Sequence, residues 1–215
     1  MGFGPVLEYW RVLLTGFKIT IEMAVVAIGA GTALGVAVGT AVSSKKRAVR
    51  WPFALLVNVF RGSPLLIQLF LIYFGLVYWG LNIGVLTAAM VGLSIYTGAY
   101  IAEIIRSGIQ AIPVGQSEAA GSLGLSHLQT MARVILPQMT KMVAPAMVSW
   151  YLTIIKDTSI ASIIGVADVI SQGKAVIAAT EKPFQTYLVI AAAYFTICFP
   201  LSRAVRWYEM RGKAA

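Results

Sequence analysis

Five apolar runs of about twenty or more residues organise this chain, with short polar segments between them. They cover residues 19–42, 52–79, 85–107, 142–165 and 187–207. A helix rises about 1.5 Å per residue, so each run is long enough to cross the ~30 Å hydrocarbon core of a bilayer. The second and third runs are joined by a tight turn at 80–84, bounded by Gly80 and Gly84. Residues 108–137 break the pattern with glycine, alanine and polar positions between two apolar runs. They read as a short helix at 117–120, a break at Gly121, and a second helix that ends near Pro137. The pattern therefore predicts an all-α membrane protein with five transmembrane helices, one transmembrane domain over 1–215, and a polar loop at 108–137. Within the first run, Gly31, Gly35 and Gly39 fall on one helix face. Such a stripe lets another helix approach closely, either inside the same bundle or across a dimer contact.

Composition agrees with a polytopic chain. Only 12% of residues are charged, against about 25% in soluble domains. The first run is too long for a signal-peptide core and lacks a basic lead-in and a cleavage site, so it is expected to be retained. Charge placement sets the orientation. Lys45, Lys46, Arg47, Arg50, Arg106, Arg133, Lys141, Arg203, Arg206, Arg211 and Lys213 fall on one side of the five runs. Arg11, Lys18, Lys174 and Lys182 fall on the other. The positive-inside rule then puts the N-terminus outside, and the C-terminus and 108–137 in the cytoplasm. It also accounts for the basic clusters without a nucleic-acid partner. Trp10, Trp51, Trp79 and Trp207 lie near the ends of runs, where amphipathic rings favour the interface. One cysteine (Cys198) and one histidine (His127) exclude a disulfide framework and a metal site built of several such ligands. No Gly-x4-Gly-Lys-Ser/Thr occurs: Gly173-Lys174 and Gly212-Lys213 lack the upstream glycine and the following hydroxyl. No cofactor, and no ATP in a P-loop, is expected on this chain.

The cytoplasmic loop contains Glu118-Ala119-Ala120, then Gly124, then Val134-Ile135-Leu136-Pro137. This resembles the Glu-Ala-Ala-x3-Gly-x9-Ile-x-Leu-Pro signature of bacterial ABC importer permeases, with Val134 in the isoleucine position. Arg61-Gly62-Ser63-Pro64-Leu65 is similar to the Arg-Gly-Thr-Pro-Leu segment of the polar amino-acid branch, with Ser63 for threonine. The run from Tyr100 to Ile109, with Pro113, Gly115 and Gln116, looks like the stretch that branch places ahead of its coupling loop. Lys156-Asp157-Thr158-Ser159 is similar to its Lys-Asp-(Ser/Thr)-Ser segment.

The resemblance implies a type I importer permease fold in the bacterial cytoplasmic (inner) membrane. It also implies ATP-driven import of polar amino acids by alternating access, with no catalytic residue on this chain. Glu118, Ala119, Ala120, Gly121 and Gly124 would dock into an ATP-binding cassette subunit, with Leu136 and Pro137 fixing the return to the membrane. The implied partners are two copies of that subunit, which use ATP and magnesium, a second permease subunit (identical or homologous), and an extracytoplasmic amino-acid-binding protein, all in membrane lipid.

Charged side chains in or at the edges of the apolar runs bear on the substrate: Glu22, Arg61, Glu103, Lys156 and Asp157. A charge at bilayer depth costs at least about 2.5 kcal/mol, so it faces a partner or a wet cavity. An amino acid presents an ammonium and a carboxylate, and a pocket for it wants an acid, a base and neutral polar groups. Arg61, Gln68, Glu103, Asp157, Thr158 and Ser159 are the candidates. Arg61 could instead pair with a carboxylate on a neighbouring helix, Glu103 could pair with Arg106 one turn away, and Glu22 could be interfacial. The outward segment 165–186, with Asp168, Gln172, Lys174, Glu181 and Lys182, could receive a binding protein or be a plain solvated loop. An autonomous secondary amino-acid carrier is the rival reading. It predicts a titratable relay and an inverted repeat, and the sequence contains no internal repeat.

Overall fold

The computed structural model describes residues 2–212, with side chains as far as Arg203. Lys213 and the side chains of Arg206, Trp207 and Arg211 lie outside the described residues. A short helix, α1 (Gly4–Glu8), leads into α2 (Trp10–Val42). The chain continues through α3 (Arg47–Gly62), α4 (Leu65–Tyr78) and α5 (Val85–Ala111). Two short helices follow, α6 (Val114–Ser122) and α7 (His127–Thr130). A π-helical turn at Met131–Ile135 opens into α8 (Leu136–Asp157), and a 3-10 segment (Thr158–Ile164) closes it. Finally come α9 (Val169–Thr180) and α10 (Pro183–Gly212). Helices α2, α5 and α10 are each long and apolar enough to cross a membrane, and two bent pairs supply up to two further spans.

The glycine stripe explains how closely α2 and α5 pack. A Cβ added at Gly31 would sit 2.5 Å from the Thr97 Cβ, and one at Gly35 would sit 2.5 Å from the Ile101 Cβ. At Gly39 it would meet Ile105 at 2.8 Å. The stripe thus packs on α5 of the same chain, which settles its use in favour of the bundle. The matched residues rise together along both helices, so α2 and α5 run parallel. Residues 43–84 must therefore cross from one end of the bundle to the other.

That crossing is made by α3 and α4, which divide the run 52–79 at Gly62 and Pro64, where those two residues are expected to interrupt a span. The two meet at a bend of 108°. Pro64 forces the cause: it has no N–H to donate, and it drives Ser63 into an extended conformation (φ −116°, ψ 146°). Carbonyls freed at such a break are costly in lipid unless another donor reaches them. Gln68, only 4% exposed, supplies that donor. Its Nε2 donates to the carbonyls of Phe60 (2.6 Å) and Ser63 (3.0 Å) and to the Ser63 hydroxyl (2.9 Å). Replacing it with leucine should remove all three bonds and leave buried acceptors unpaired, a loss of about 1–3 kcal/mol. A lower unfolding temperature in detergent is the measurement; an unchanged one would remove Gln68 from this role.

Across the bundle α8 runs antiparallel to α5. A Cβ at Gly108 would clash with Val143 and Met139, while Tyr100 stacks on Trp150. The fourth span is also bent, by 58° between the α7–α8 helical run and α9. Segment 165–186 is therefore not an open loop. Helix α9 fills it and packs against the start of α2, where Gly16 touches the Asp168 backbone and Gln172. Asp168 is fully buried and caps α9 through the Ser171 N–H at 2.9 Å. The last span begins at Pro183 and not at 187. The main core lies between α2, α4, α5 and the end of α8, with Met23, Leu69, Leu93 and Ile154 at its centre.

Candidate functional site

Two regions carry the candidate residues: a helical corner at the α5–α8 end of the bundle, and a charged, aromatic wall between α3, α5 and α8. The corner begins at Pro113, where extended Ile112 and Pro113 stop α5 and start α6. Glu118 is consequently the fifth residue of α6, about a turn further from the helix start than the expected 117–120 boundary puts it. Gly121 lies inside α6 and breaks nothing, a second correction. The break falls at Gly124, whose φ of 77° demands a residue without a Cβ penalty. Leu125 N–H donates to the Ala120 carbonyl (3.1 Å) and Gly124 N–H to that of Gly121 (2.9 Å). This pair of bonds is a Schellman stop.

The chain restarts at once. Ser126 and Gln129 form a reciprocal capping box, and the spacing Ser-x-x-Gln is its mark in the sequence. Nor does the second helix end at Pro137. The helical run is continuous from α7 into α8, because Met131–Ile135 widen into a π turn just ahead of the proline. A widened turn absorbs both the missing N–H and the ring. Gln138 completes the joint: its Nε2 donates to the Val134 carbonyl (2.9 Å) and to Gln116 of α6 (3.2 Å). Leu136 packs half-buried in a cluster with Ile112, Ile135 and Met139, while Pro137 is exposed.

The corner is thus stiff, and what it presents is unusual. Ala120 is buried and anchors α6, whereas Glu118, Ala119, Gly121 and Gly124 are exposed. Leu123 and Leu128 beside them are 81% and 80% exposed. Neither leucine stands out in the sequence, because nothing in a local pattern distinguishes a leucine turned outward from a core one.

At the wall, Arg61 and Glu103 come together across α3 and α5 at 3.5 Å. Glu103 also accepts from Arg106 Nε at 2.9 Å, so one carboxylate serves two guanidiniums. Both pairings considered from sequence therefore occur at once. The Arg61 guanidinium lies 5.4 Å from the centre of the Tyr100 ring. Tyr100 stacks on Trp150 with centroids 3.8 Å apart, and Tyr96 is 4.9 Å from Tyr100. Arg61, Glu103 and the rings of Tyr100, Trp150 and Tyr96 thus form one strip across α3, α5 and α8, and Asp157 is the last residue of α8.

The remaining candidates diverge. Gln68 is committed to the α3–α4 break. Thr158 is fully buried and donates to the Ile155 carbonyl at 2.8 Å, so it holds the change from α8 to the 3-10 turn. Ser159 turns away with Lys156 into a separate cavity of about 420 Å3, also lined by Tyr187 and Tyr194. Glu22 is exposed on α2.

Comparison with known proteins agrees with this geometry. A family described as "Binding-protein-dependent transport system inner membrane component" matches residues 31–213. The chain is 38% identical over 193 residues to the probable amino-acid ABC transporter permease protein YckA of Bacillus subtilis (strain 168). That alignment covers 89% of this chain and 85% of YckA. It is 35% identical to the probable glutamine ABC transporter permease protein GlnM of the same organism, over 98% of each chain. A crystal structure of an amino acid ABC transporter with histidines superposes with a TM-score of 0.91 at 36% identity, covering 98% of this chain and 99% of that one. The chain therefore belongs to the binding-protein-dependent transport system inner membrane components, as a multi-pass permease subunit of the amino-acid ABC transporter kind.

Proposed function

We propose that this permease imports polar amino acids by alternating access, driven by ATP hydrolysis on a partner that docks at the α6–α7 corner. The observation that carries the reading is the corner itself. Glu118 and Ala119 project from α6, which the Gln116–Gln138 bond ties to α8, and Leu123 and Leu128 project from the turn after it and from α7. A stiff, exposed apolar knob at the end of a bundle suits a groove on a soluble partner. Gly124 gives it its angle, Gly121 keeps it thin, and Leu136 with Pro137 carries movement into α8. The side bearing most of the lysines and arginines is this same side, which places it in the cytoplasm.

The partners of this reading are two ATP-binding cassette subunits, a second permease subunit and an extracytoplasmic amino-acid-binding protein. ATP and magnesium belong to the cassette subunits, and this chain holds no cofactor of its own. Nucleotide shifts the permease only by the difference in its affinity for the two states. Landing of the binding protein falls to the exposed Lys174, Glu181 and Phe184 around the end of α9.

For substrate, we assign Arg61 to the carboxylate and Asp157 with Glu103 to the ammonium, along the aromatic strip between them. Gln68 and Thr158 act behind this surface, and Ser159 reaches substrate only if α8 and α10 part. Asp157→Asn should raise the half-saturating substrate concentration about tenfold or more, the loss of one charged hydrogen bond, while ATPase association is kept. An unchanged concentration dependence would return Asp157 to a structural part. The function as a whole is tested by uptake of labelled amino acids in cells carrying the chain with its ATPase and binding protein. Uptake that vanishes with a hydrolysis-dead ATPase supports the importer; uptake that survives it points to an autonomous carrier.

A further inference from the structure

Between α3 and α5, beside the end of α2, lies a cleft of about 460 Å3. That volume is within the ~300–1,000 Å3 usual for small-ligand sites. Arg50, Arg61 and Arg106 line it, and Glu103 is the one carboxylate among the described lining residues. Both Glu103 oxygens are already engaged, by Arg106 and Arg61. Arg50 has no carboxylate partner among the described residues. The cleft therefore carries two positive charges in excess, on guanidiniums that are open to an incoming anion.

The cleft sits at the α6 end of the bundle. It runs from the α3 start at Arg50, beside Val42 at the close of α2, inward to Arg61. Trp51 stands at its mouth, 69% exposed, as an interfacial indole does. Guanidiniums present paired N–H donors that match the paired oxygens of a phosphate. Arg50 lies in the first turn of α3, next to the polar segment that joins α2 to α3.

We propose that this cleft is an oxyanion site that seats a phosphate group, from an anionic phospholipid of the cytoplasmic leaflet or from free phosphate. It rests on the function proposed above for the cytoplasmic placement of the α6 end and shares Arg61 and Glu103 with the substrate strip, so Arg50, which belongs to the cleft alone, is the residue that tests it. A lipid phosphate would tie α3 to α5 from the membrane side, so occupancy adjusts the joint between the broken span and the coupling corner.

The test is native mass spectrometry of the whole transporter complex, titrated with phosphatidylglycerol, phosphatidylcholine and inorganic phosphate. Phosphatidylglycerol should be retained several-fold more strongly than phosphatidylcholine. Arg50→Gln should weaken that retention roughly fivefold, as expected for one basic residue at a lipid surface, and Arg50→Lys should restore part of it. Arg50 is exposed, so the variant should fold as the parent does. If inorganic phosphate binds with the same Arg50 dependence and displaces the lipid, the oxyanion site stands and its occupant is the free anion. Equal retention of the two lipids with no phosphate bound overturns the proposal, as does retention indifferent to Arg50→Gln. ATP-driven uptake in vesicles that contain phosphatidylglycerol reports on the importer reading separately: its failure with lipid retention intact counts against that reading alone.

Discussion

Glu118→Lys is expected to reduce ATP-driven uptake to background while leaving the permease folded. Glu118 is exposed on α6 and makes no ion pair among the described residues. Its removal therefore costs the isolated fold little, within about 0.5 kcal/mol for a surface change. Docking is another matter. Reversing a charge at a small, shape-matched contact sets like charges together or leaves one unpaired, which costs several kcal/mol. A factor of about 10 accompanies each 1.4 kcal/mol, so coupling should fall by two orders of magnitude or more. Uptake and co-purification of the ATPase should fall together while the unfolding temperature in detergent holds. Normal uptake by the lysine variant would falsify the docking role of α6.

The second large effect is expected inside the bundle. Gly35→Val places a Cβ 2.5 Å from the Ile101 Cβ and 2.9 Å from the Gly98 carbonyl oxygen. Neither neighbour is the loose end of a flexible side chain, so the two helices must separate. Overpacking of this kind costs about 1–3 kcal/mol, and in lipid close packing is itself much of what holds helices together. The variant should yield little monodisperse protein and melt well below the parent. Gly29→Ala is the matched control, since a Cβ there meets nothing within 4 Å. It should be neutral or slightly stabilising, because alanine is the better helix former. Equal behaviour of the two variants would show that the α2–α5 contact is not tight in solution.

These two expectations draw on different kinds of knowledge. The docking role proposed for Glu118 came from the resemblance of 118–137 to a family signature. The local geometry of that segment was less legible in the chain. Gly121 read as the break since glycine commonly ends helices, but Gly124 holds the left-handed position and Gly121 stays helical. Pro137 read as a stop for the same reason, and a π turn absorbed it instead. In each case the local rule was sound, and the hydrogen-bonding of neighbouring residues chose between two allowed outcomes.

The wall shows a further limit. Sequence placed Arg61, Glu103 and Asp157 at bilayer depth, where their cost makes them conspicuous. It could not say that Glu103 serves Arg61 and Arg106 together, nor that Tyr96, Tyr100 and Trp150 join the acid and the base. Aromatic residues are common in apolar helices, and only the crossing of α5 with α8 brings these three side by side. Gln68 illustrates the converse. A polar residue in an apolar run reads as a ligand contact, yet its donors answer to carbonyls that Pro64 set free within its own span.

By itself the sequence determined the class of protein, the apolar runs that could cross a membrane, and the charge bias between their two sides. Those follow from properties that add along the chain: apolar length against bilayer thickness, charge bias across it, and the spacing of small residues. Tertiary structure decided what no sum along the chain contains. It turned the glycine stripe inward onto α5, split two spans at bends of 108° and 58°, and filled the outward segment with α9. Each of these depends on which surface meets which, and close packing and the pairing of buried polar groups fix that choice only when the whole bundle is assembled.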